Sequence, residues 1–213
     1  MSESKAKIAK AIFQSSAIRF GEFTLASGIK SPYYIDLSRL LTSPPNLKTF
    51  LETGGREIRS KCDAAKIGQI ASIELRGALL LSALSSYIGL PCFVVRKSEK
   101  SYGVTGKIVG GEIRSGEEVL LFDDVVTDGQ SKLDSIHALE EAGATVKGVL
   151  VVVDREQGGV QNLHQKGYYL DSLLTVHELV SQLLESGLIA PQVAQTVSDY
   201  IAHESGNDPP AKE

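Results

Sequence analysis

Short apolar strands alternate with helices from residue 67 to about residue 186, and this order limits the possible folds more than any other feature of the sequence. The strand segments are rich in Val, Leu and Ile, and the segments between them carry apolar residues at helical spacing. Such alternation predicts an α/β fold with a mostly parallel central sheet flanked by helices. The predicted strands are 67–72, 91–97, 117–125, 145–156 and 168–176, and the predicted helices are 77–90, 130–143 and 177–186.

The N-terminal part of the chain follows a different pattern. Residues 5–16 place apolar side chains on one helical stripe with lysines opposite, which predicts an amphipathic helix. Residues 18–38 alternate around a Ser-Gly turn, which indicates a short hairpin or two short strands. Pro44 and Pro45 are expected to break the chain before a helix over 46–61.

Length and composition predict a single domain. A chain of 213 residues suffices for one substantial α/β domain, which we place at 1–203. The polar, Pro- and Gly-rich tail, 204–213, is expected to be disordered, and the Gly-rich stretch 98–116 is expected to be a mobile loop.

The charge and the cysteines exclude several classes of protein. A net charge of −4 offers no general excess of cations for nucleic acid or membranes. Cys62 and Cys92 lie far apart and outside any metal-ligand spacing, so they indicate buried thiols in a reducing compartment. No segment approaches a membrane span or a signal peptide, and we expect a cytoplasmic protein with no membrane or nucleic-acid partner.

The segment VLLFDDVVTDGQS, residues 119–131, carries the chemistry. An apolar strand ends on two adjacent carboxylates, and a Thr/Gly/Ser turn then opens a helix. Backbone N–H groups in such a turn point at an anion, and carboxylates just before it suit the hydroxyls of a diol or a hydrated Mg²⁺. A diol beside a phosphate describes a ribose 5-phosphate, although an ordinary strand end and helix start remains the alternative for this segment taken alone.

Three further segments of the sequence belong with this motif. They are RFGEFTLASGIKSPYYIDLS at 19–38, RKSEKSYG at 96–103 and VVVDREQGG at 151–159. Together with 119–131 they resemble the type I phosphoribosyltransferases, and within them the enzymes that use orotate. The resemblance implies that family's fold with a small N-terminal hood, formed mainly by 1–45 and part of the C-terminal region. It also implies transfer of the phosphoribosyl group of 5-phosphoribosyl 1-pyrophosphate (PRPP) to orotate.

The resemblance implies a role for each matching residue. Asp123 and Asp124 would hold the ribose hydroxyls of PRPP, and the following turn would surround its 5-phosphate. The turn residues are Val125, Val126, Thr127, Asp128, Gly129, Gln130 and Ser131. Arg96, Lys97, Lys100, Tyr102 and Arg76 would contact the PRPP phosphates, and the catalytic residues would be Lys100, Arg96, Lys97 and Asp124.

Orotate would meet a separate set of side chains. Arg155 suits its carboxylate through a bidentate guanidinium pair, Thr127 would face the base, and Tyr33 and Tyr34 would lie against the ring. Plain core packing is the alternative for both tyrosines. The resemblance also implies Mg²⁺ carried by PRPP without direct protein ligands, and a homodimer in which the loop 96–111 reaches the neighbouring active site.

The sequence departs from the family pattern at several positions. Ala26 stands where many members carry a Lys, Tyr102 where bacterial members carry His, and Ser72 where many carry Gly. Arg76 stands where several bacterial members carry a Lys, and an exposed residue at a helix start is the alternative for it. Asp128 puts a carboxylate inside the expected phosphate turn, where it either caps the helix or repels the phosphate.

Two other functions remain open from the sequence. One is the same chemistry on another base. Arg155 argues against a purine, because a purine offers no carboxylate for it to bind. The other is a non-catalytic regulatory protein that senses PRPP or a nucleotide on the same fold, in which Ala26 and Asp128 would be signs of decay.

Overall fold

The predicted alternation of strands and helices forms a six-stranded sheet. The computed structural model of the protein describes residues 2–25, 28–100 and 106–204. The strands are β1 Ile18–Thr24, β2 Lys30–Ile35, β3 Gln69–Ile73, β4 Cys92–Lys100, β5 Gly106–Val109, β6 Glu118–Val126, β7 Thr145–Asp154 and β8 Leu170–Thr175. The α-helices are α1 Ser2–Gln14, α2 Pro44–Ala64, α3 Arg76–Ile88, α4 Gln130–Glu141, α5 Gly159–Gln165, α6 Val176–Glu185 and α7 Pro191–Glu204, and a 3-10 helix covers Leu37–Thr42.

The strand order of the sheet is β5-β4-β3-β6-β7-β8. Strands β4, β3, β6, β7 and β8 are parallel, and β5 pairs with β4 in the antiparallel direction. The chain leaves β3 toward one edge of the sheet and later returns on its other side as β6. The order therefore reverses between β3 and β6, and in open α/β sheets ligands bind beyond the carboxyl ends of the strands at such a point.

Both faces of the sheet are covered, which explains the continuous apolar runs of the central strands. On β6, Val119 and Leu121 pack in one cluster with α4 and α5, whereas Leu120 and Phe122 belong to a second cluster with α1, α2 and α3. The polar residues Asp123 and Asp124 come only at the end of this strand, where the sheet meets the functional cleft. Among the helices of the described ranges, none combines the length and apolarity needed to span a membrane.

A two-stranded antiparallel hairpin, β1–β2, stands apart from the main sheet. Helix α7 contacts β2, and α1 packs against α2 and α6. The ring of Tyr33 in β2 meets that of Tyr200 in α7 edge to face, with 5.9 Å between ring centroids. The hairpin expected from residues 18–38 is thus present, and it is held by a helix from much later in the chain.

The structure differs from the sequence expectations in four places. Pro44 and Pro45 begin helix α2 instead of breaking the chain before it, because proline fits the first turn, where no intrahelical donor is required. Strand β4 continues to Lys100 and pairs with β5 inside the stretch expected to be a loop. The short helix α5 was not predicted, and neither was α7, although Ala194, Val197 and Ile201 repeat at helical spacing. Residues 101–105 and 205–213 lie outside the described ranges.

Candidate functional site

Two adjoining clefts lie where the carboxyl ends of β3, β6 and β7 meet. The smaller has a volume of about 220 Å³ and the larger about 420 Å³. Arg76 and Asp124 line both of them, so the two clefts share a wall. The other lining residues of the smaller cleft are Leu25, Tyr34, Ile35, Val125, Thr127 and Arg155, and those of the larger are Ile73, Glu74, Leu75, Lys97, Asp123, Ser131 and Lys132.

The acid pair Asp123 and Asp124 is buried at the end of β6. Asp123 accepts the backbone N–H of Asp124 on Oδ1 at 2.9 Å and the ammonium of Lys132 on Oδ2 at 2.7 Å. Burial, together with the neighbouring charge of Asp123, raises the pKa of Asp124 to about 7, against the opposing effect of Lys132. Asp123 is therefore paired with a buried cation, whereas Asp124 faces both clefts.

Helix α3 begins in close contact with this acid pair because its second residue is Gly77. A Cβ at Gly77 would lie 2.2 Å from Asp123 Oδ1 and 2.6 Å from Ser72 Oγ, so only glycine fits. Ser72 Oγ is itself buried and has no hydrogen-bond partner among the described residues. The peptide bond between Glu74 and Leu75, in the connection from β3 to α3, is cis.

The turn after the acid pair, which the sequence predicts to be an anion cradle, leads into α4 and has Asp128 as its unusual member. Gly129 adopts the left-handed conformation (φ 88°) that lets the chain enter α4. Asp128 Oδ1 accepts the backbone N–H of Gln130 at 3.1 Å, so its carboxylate caps the first residue of the helix. Of the two orientations left open by the sequence, the structure has the one in which the carboxylate turns to the helix start and accepts the N–H of Gln130.

Helix α5 supports the same turn from outside. Its first residue, Gly159, lies so close that a Cβ there would be 2.6 Å from the carbonyl oxygen of Thr127 and 2.6 Å from Val126 Cγ2. Asn162 donates from Nδ2 to the carbonyl oxygen of Asp128 at 2.9 Å. The position of the turn is therefore fixed by backbone contacts as well as by its own sequence.

Arg155 follows β7 and projects into the smaller cleft. Its Nε donates to the hydroxyl of Tyr33 at 3.3 Å, and its guanidinium carbon lies 5.1 Å from the centroid of that ring. Arg155 Nη2 is buried and has no hydrogen-bond partner among the described residues. An unpartnered guanidinium nitrogen beside a cleft is suited to an acidic group on a ligand.

The two tyrosines of β2 occupy different positions. Tyr34 lines the smaller cleft, with Arg19 located 5.4 Å from the centroid of its ring. Tyr33 is fully buried behind Arg155 and does not line that cleft, and burial raises the pKa of its hydroxyl. The structure thus brings Tyr34, Thr127 and Arg155 together at one site and places Tyr33 beneath it.

Two of the predicted cations, Arg76 and Lys97, line the larger cleft. Arg76 Nε lies 3.5 Å from Asp36 Oδ1, and Lys97 lines the cleft, whereas Arg96 is half-buried and is absent from both linings. Lys100 ends β4, and its side chain lies outside the described part of the chain, as do Ala26 and Tyr102.

Lys132 was missed from the sequence. It lines the larger cleft, and helical spacing does place it on the buried face of α4 with Ile136 and Leu139. That spacing was the available signal, because a lysine on the inner face of a helix needs a counterion. Within the described residues, no group of three or more His, Cys, Asp or Glu side chains could hold a metal ion.

Comparisons with known proteins find relatives that match most of the chain. The phosphoribosyl transferase domain matches residues 52–169, more than half of the chain. Orotate phosphoribosyltransferase of Pyrococcus furiosus is 38% identical over 177 residues, which cover 82% of this chain and 94% of that protein. Its counterpart in Methanocaldococcus jannaschii is also 38% identical, over 84% of this chain and 98% of that protein.

Among solved structures, Leishmania donovani UMP synthase superposes with a TM-score of 0.81 at 31% identity. That match covers 93% of this chain, which spans only 42% of the length of UMP synthase.

Proposed function

The chain belongs to the orotate phosphoribosyltransferases, within the phosphoribosyl transferase domain family, and from this membership we propose how its two clefts share one reaction. The reaction is transfer of the 5-phosphoribosyl group from PRPP to orotate, which gives orotidine 5-phosphate and pyrophosphate in pyrimidine synthesis. PRPP occupies the larger cleft and the turn after β6, and orotate occupies the smaller cleft.

The observation that carries this proposal is the buried Nη2 of Arg155 beside the acid pair. Its cleft shares Arg76 and Asp124 with the larger cleft, so a base held by Arg155 lies next to a ribose held by Asp124. A guanidinium with an unused nitrogen binds a carboxylate, which orotate carries and which uracil, adenine and hypoxanthine lack. Thr127 and Tyr34 complete the wall around the base.

For PRPP, we assign the ribose hydroxyls to Asp123 and Asp124. The 5-phosphate lies in the turn formed by residues 125–131, at the N-terminus of α4, where backbone N–H groups favour an anion. Arg76 and Lys97 border the larger cleft and are assigned to the pyrophosphate. The assignments of Arg96, Lys100 and Tyr102 to the same group, of Asp124 as a catalytic residue and of Tyr33 to the orotate site also remain proposals.

Chemistry at ribose C1 explains this distribution of charge. The bond from C1 to the pyrophosphate oxygen breaks with its electron pair, and a ring nitrogen of orotate bonds to C1 and gives up its proton. Positive charge develops on the sugar, beside the acid pair, while negative charge develops on the leaving group, beside the cations. Fixed charges aimed at these positions stabilise the transition state more than the ground state.

Mg²⁺ is proposed to enter bound to PRPP. Among the described residues, no group of three or more His, Cys, Asp or Glu side chains could hold a metal ion. The oxygen-bearing side chains along the larger cleft are those of Glu74, Asp123, Asp124 and Ser131. When bound, the ion neutralises charge on the departing pyrophosphate.

The protein is proposed to act as a homodimer in which the loop 96–111 completes the neighbouring active site. Leu75 and Leu79 support a subunit contact close to the cleft, since they lie one helical turn apart and are 62% and 38% exposed.

Mixing two inactive variants, Lys100→Ala and Asp124→Asn, tests this arrangement. If the loop acts across the interface, random heterodimers restore roughly a quarter of the activity, because one site in each contains both native residues. If it acts within its own subunit, mixing restores none.

Residues 1–203 are proposed to form one domain whose hood consists of the hairpin β1–β2, its N-terminal neighbours and α7. The proposed location is the cytoplasm, where PRPP and orotate would be available.

The fall in orotate absorbance with PRPP and Mg²⁺ tests the function directly, with uracil, hypoxanthine and adenine assayed in parallel. We expect consumption of orotate alone. Consumption of another base would shift the proposal to that base. Binding of PRPP without turnover of any base would replace the enzyme by a regulatory sensor.

A further inference from the structure

Lys132 is a buried cation to which the proposed reaction assigns no role. Only 5% of the residue is exposed, compared with 6% of Asp123. Its ammonium lies 2.7 Å from Asp123 Oδ2, 2.6 Å from the carbonyl oxygen of Val125 and 3.3 Å from Ser131 Oγ. An ammonium group has three N–H donors, so each of the donors of Lys132 has an acceptor.

These acceptors come from both ends of the turn that follows β6. Asp123 and Val125 lie at the end of β6, where the chain enters the turn, and Ser131 lies on the other side, in the first turn of α4. The ammonium of Lys132 therefore links the acid pair to the helix start that forms the other wall of the anion cradle. Such a link holds the backbone donors of the turn in position before any ligand arrives.

The same contact changes the charge that the site presents to a ligand. PRPP carries a phosphate and a pyrophosphate, and two uncompensated carboxylates would repel it. Lys132 pairs directly with Asp123, whose Oδ1 already accepts the backbone N–H of Asp124, whereas Asp124 has no ion-pair partner among the described residues. Burial makes this compensation strong, since solvent does not screen the two charges.

We propose that Lys132 is a positioning residue for PRPP: it neutralises Asp123 and fixes the turn at residues 125–131 in its binding conformation. The inference rests on the proposed function, because it takes PRPP as the ligand of this turn. A purely stabilising role for Lys132 would be different, because the ion pair would then hold α4 against the sheet without affecting ligand binding.

The test compares Lys132→Met, Asp123→Asn and the double variant, with Lys147→Met as the control. Lys147 also pairs with an acid, Glu118 at 3.1 Å, but at the exposed opposite end of the sheet. PRPP affinity is measured by calorimetry without orotate, KM and kcat are measured for both substrates, and the thermal midpoint is measured for each variant.

For Lys132→Met we expect PRPP affinity to fall roughly 10- to 100-fold. The KM for orotate should change less than about threefold, and Lys147→Met should bind PRPP as the wild type does. Because Lys132 acts through Asp123, the double variant should lose far less affinity than the product of the two single losses. A Lys132→Met protein that is less stable but binds PRPP normally when folded would overturn the proposal.

If Lys132→Met does not fold, the double variant is compared with Asp123→Asn, since both lack the buried carboxylate. Without the carboxylate that anchors the ammonium between the two ends of the turn, we expect these two to bind PRPP within about threefold of each other. A further tenfold loss would contradict the proposal that Lys132 acts through Asp123. A wild-type protein that binds PRPP without consuming orotate would refute the proposed function and leave the binding test intact. A wild-type protein that does not bind PRPP would overturn both.

Discussion

Replacing Gly159 by alanine tests whether α5 sets the position of the PRPP turn. The added Cβ would lie 2.6 Å from the carbonyl oxygen of Thr127, and reaching an ordinary 3.4 Å contact requires a shift of about 0.8 Å. The neighbour on this side is backbone, which cannot rotate away as a flexible side chain would. Thr127 is therefore expected to move into the site.

Two opposing effects determine the magnitude. Alanine favours the helical conformation over glycine by about 0.5–1 kcal/mol, while overpacking costs about 1–3 kcal/mol. We expect the free energy of unfolding to fall by about 1 kcal/mol. Catalysis is more sensitive, because a misplacement of about 1 Å in a positioning element can reduce the rate about 100-fold.

Steady-state kinetics with PRPP varied are the assay, and the predicted result is a 10- to 100-fold fall in kcat/KM. Gly68→Ala is the matched control, since Gly68 is exposed, has an ordinary φ and has nothing within 4 Å of its Cβ position. The reasoning is refuted if Gly159→Ala and Gly68→Ala both retain the kcat/KM of the wild type.

Three further changes probe individual side chains. Arg155→Lys keeps the charge but loses the planar fork, so the KM for orotate should rise about 10-fold or more, whereas an unchanged KM would remove Arg155 from the orotate site. Asp128→Ala frees the N–H of Gln130 and removes a negative charge, so the KM for PRPP should fall. The thermal midpoint should also drop, because the helix start loses a hydrogen bond worth about 1 kcal/mol. A higher KM would show that the carboxylate assists binding. Asp124→Asn should stabilise the protein more at pH 8 than at pH 4, as measured by the thermal midpoint. Burial raises the pKa of Asp124 from its ordinary value of 3.8 to about 7, so between these pH values the folded protein retains a proton that the unfolded chain has released, and the wild type loses stability as the pH rises. An equal effect at both pH values would contradict this burial argument.

The sheet and the backbone of the site could be predicted from the sequence because they depend on local patterns. Apolar runs that end in polar residues placed Asp123 and Asp124 at the end of one strand and Arg155 after another, and parallel pairing then brought these ends together. The resemblance to a known family added the order of the motifs. Helix α7 was not predicted, although its amphipathic spacing is present in the sequence.

Side-chain direction was harder to predict than position. The sequence left two orientations for Asp128, and only the hydrogen bond to Gln130 selects one of them. The fully buried position of Tyr33, behind Arg155, depends on packing against Tyr200, a contact between residues far apart in the chain. Such contacts are decided by tertiary structure and leave no local pattern to read.

The support of the base site by α7 has a consequence for the order in which the protein matures on the ribosome. Tyr200 packs against Tyr33, and its hydroxyl accepts a hydrogen bond from Gln157 Nε2 at 3.3 Å. A nascent chain can pair all the strands of its sheet once Thr175 has emerged, yet the support behind Arg155 is still missing. Under the proposed assignments, the corner that would select the base is therefore completed only after the turn that would hold the sugar donor.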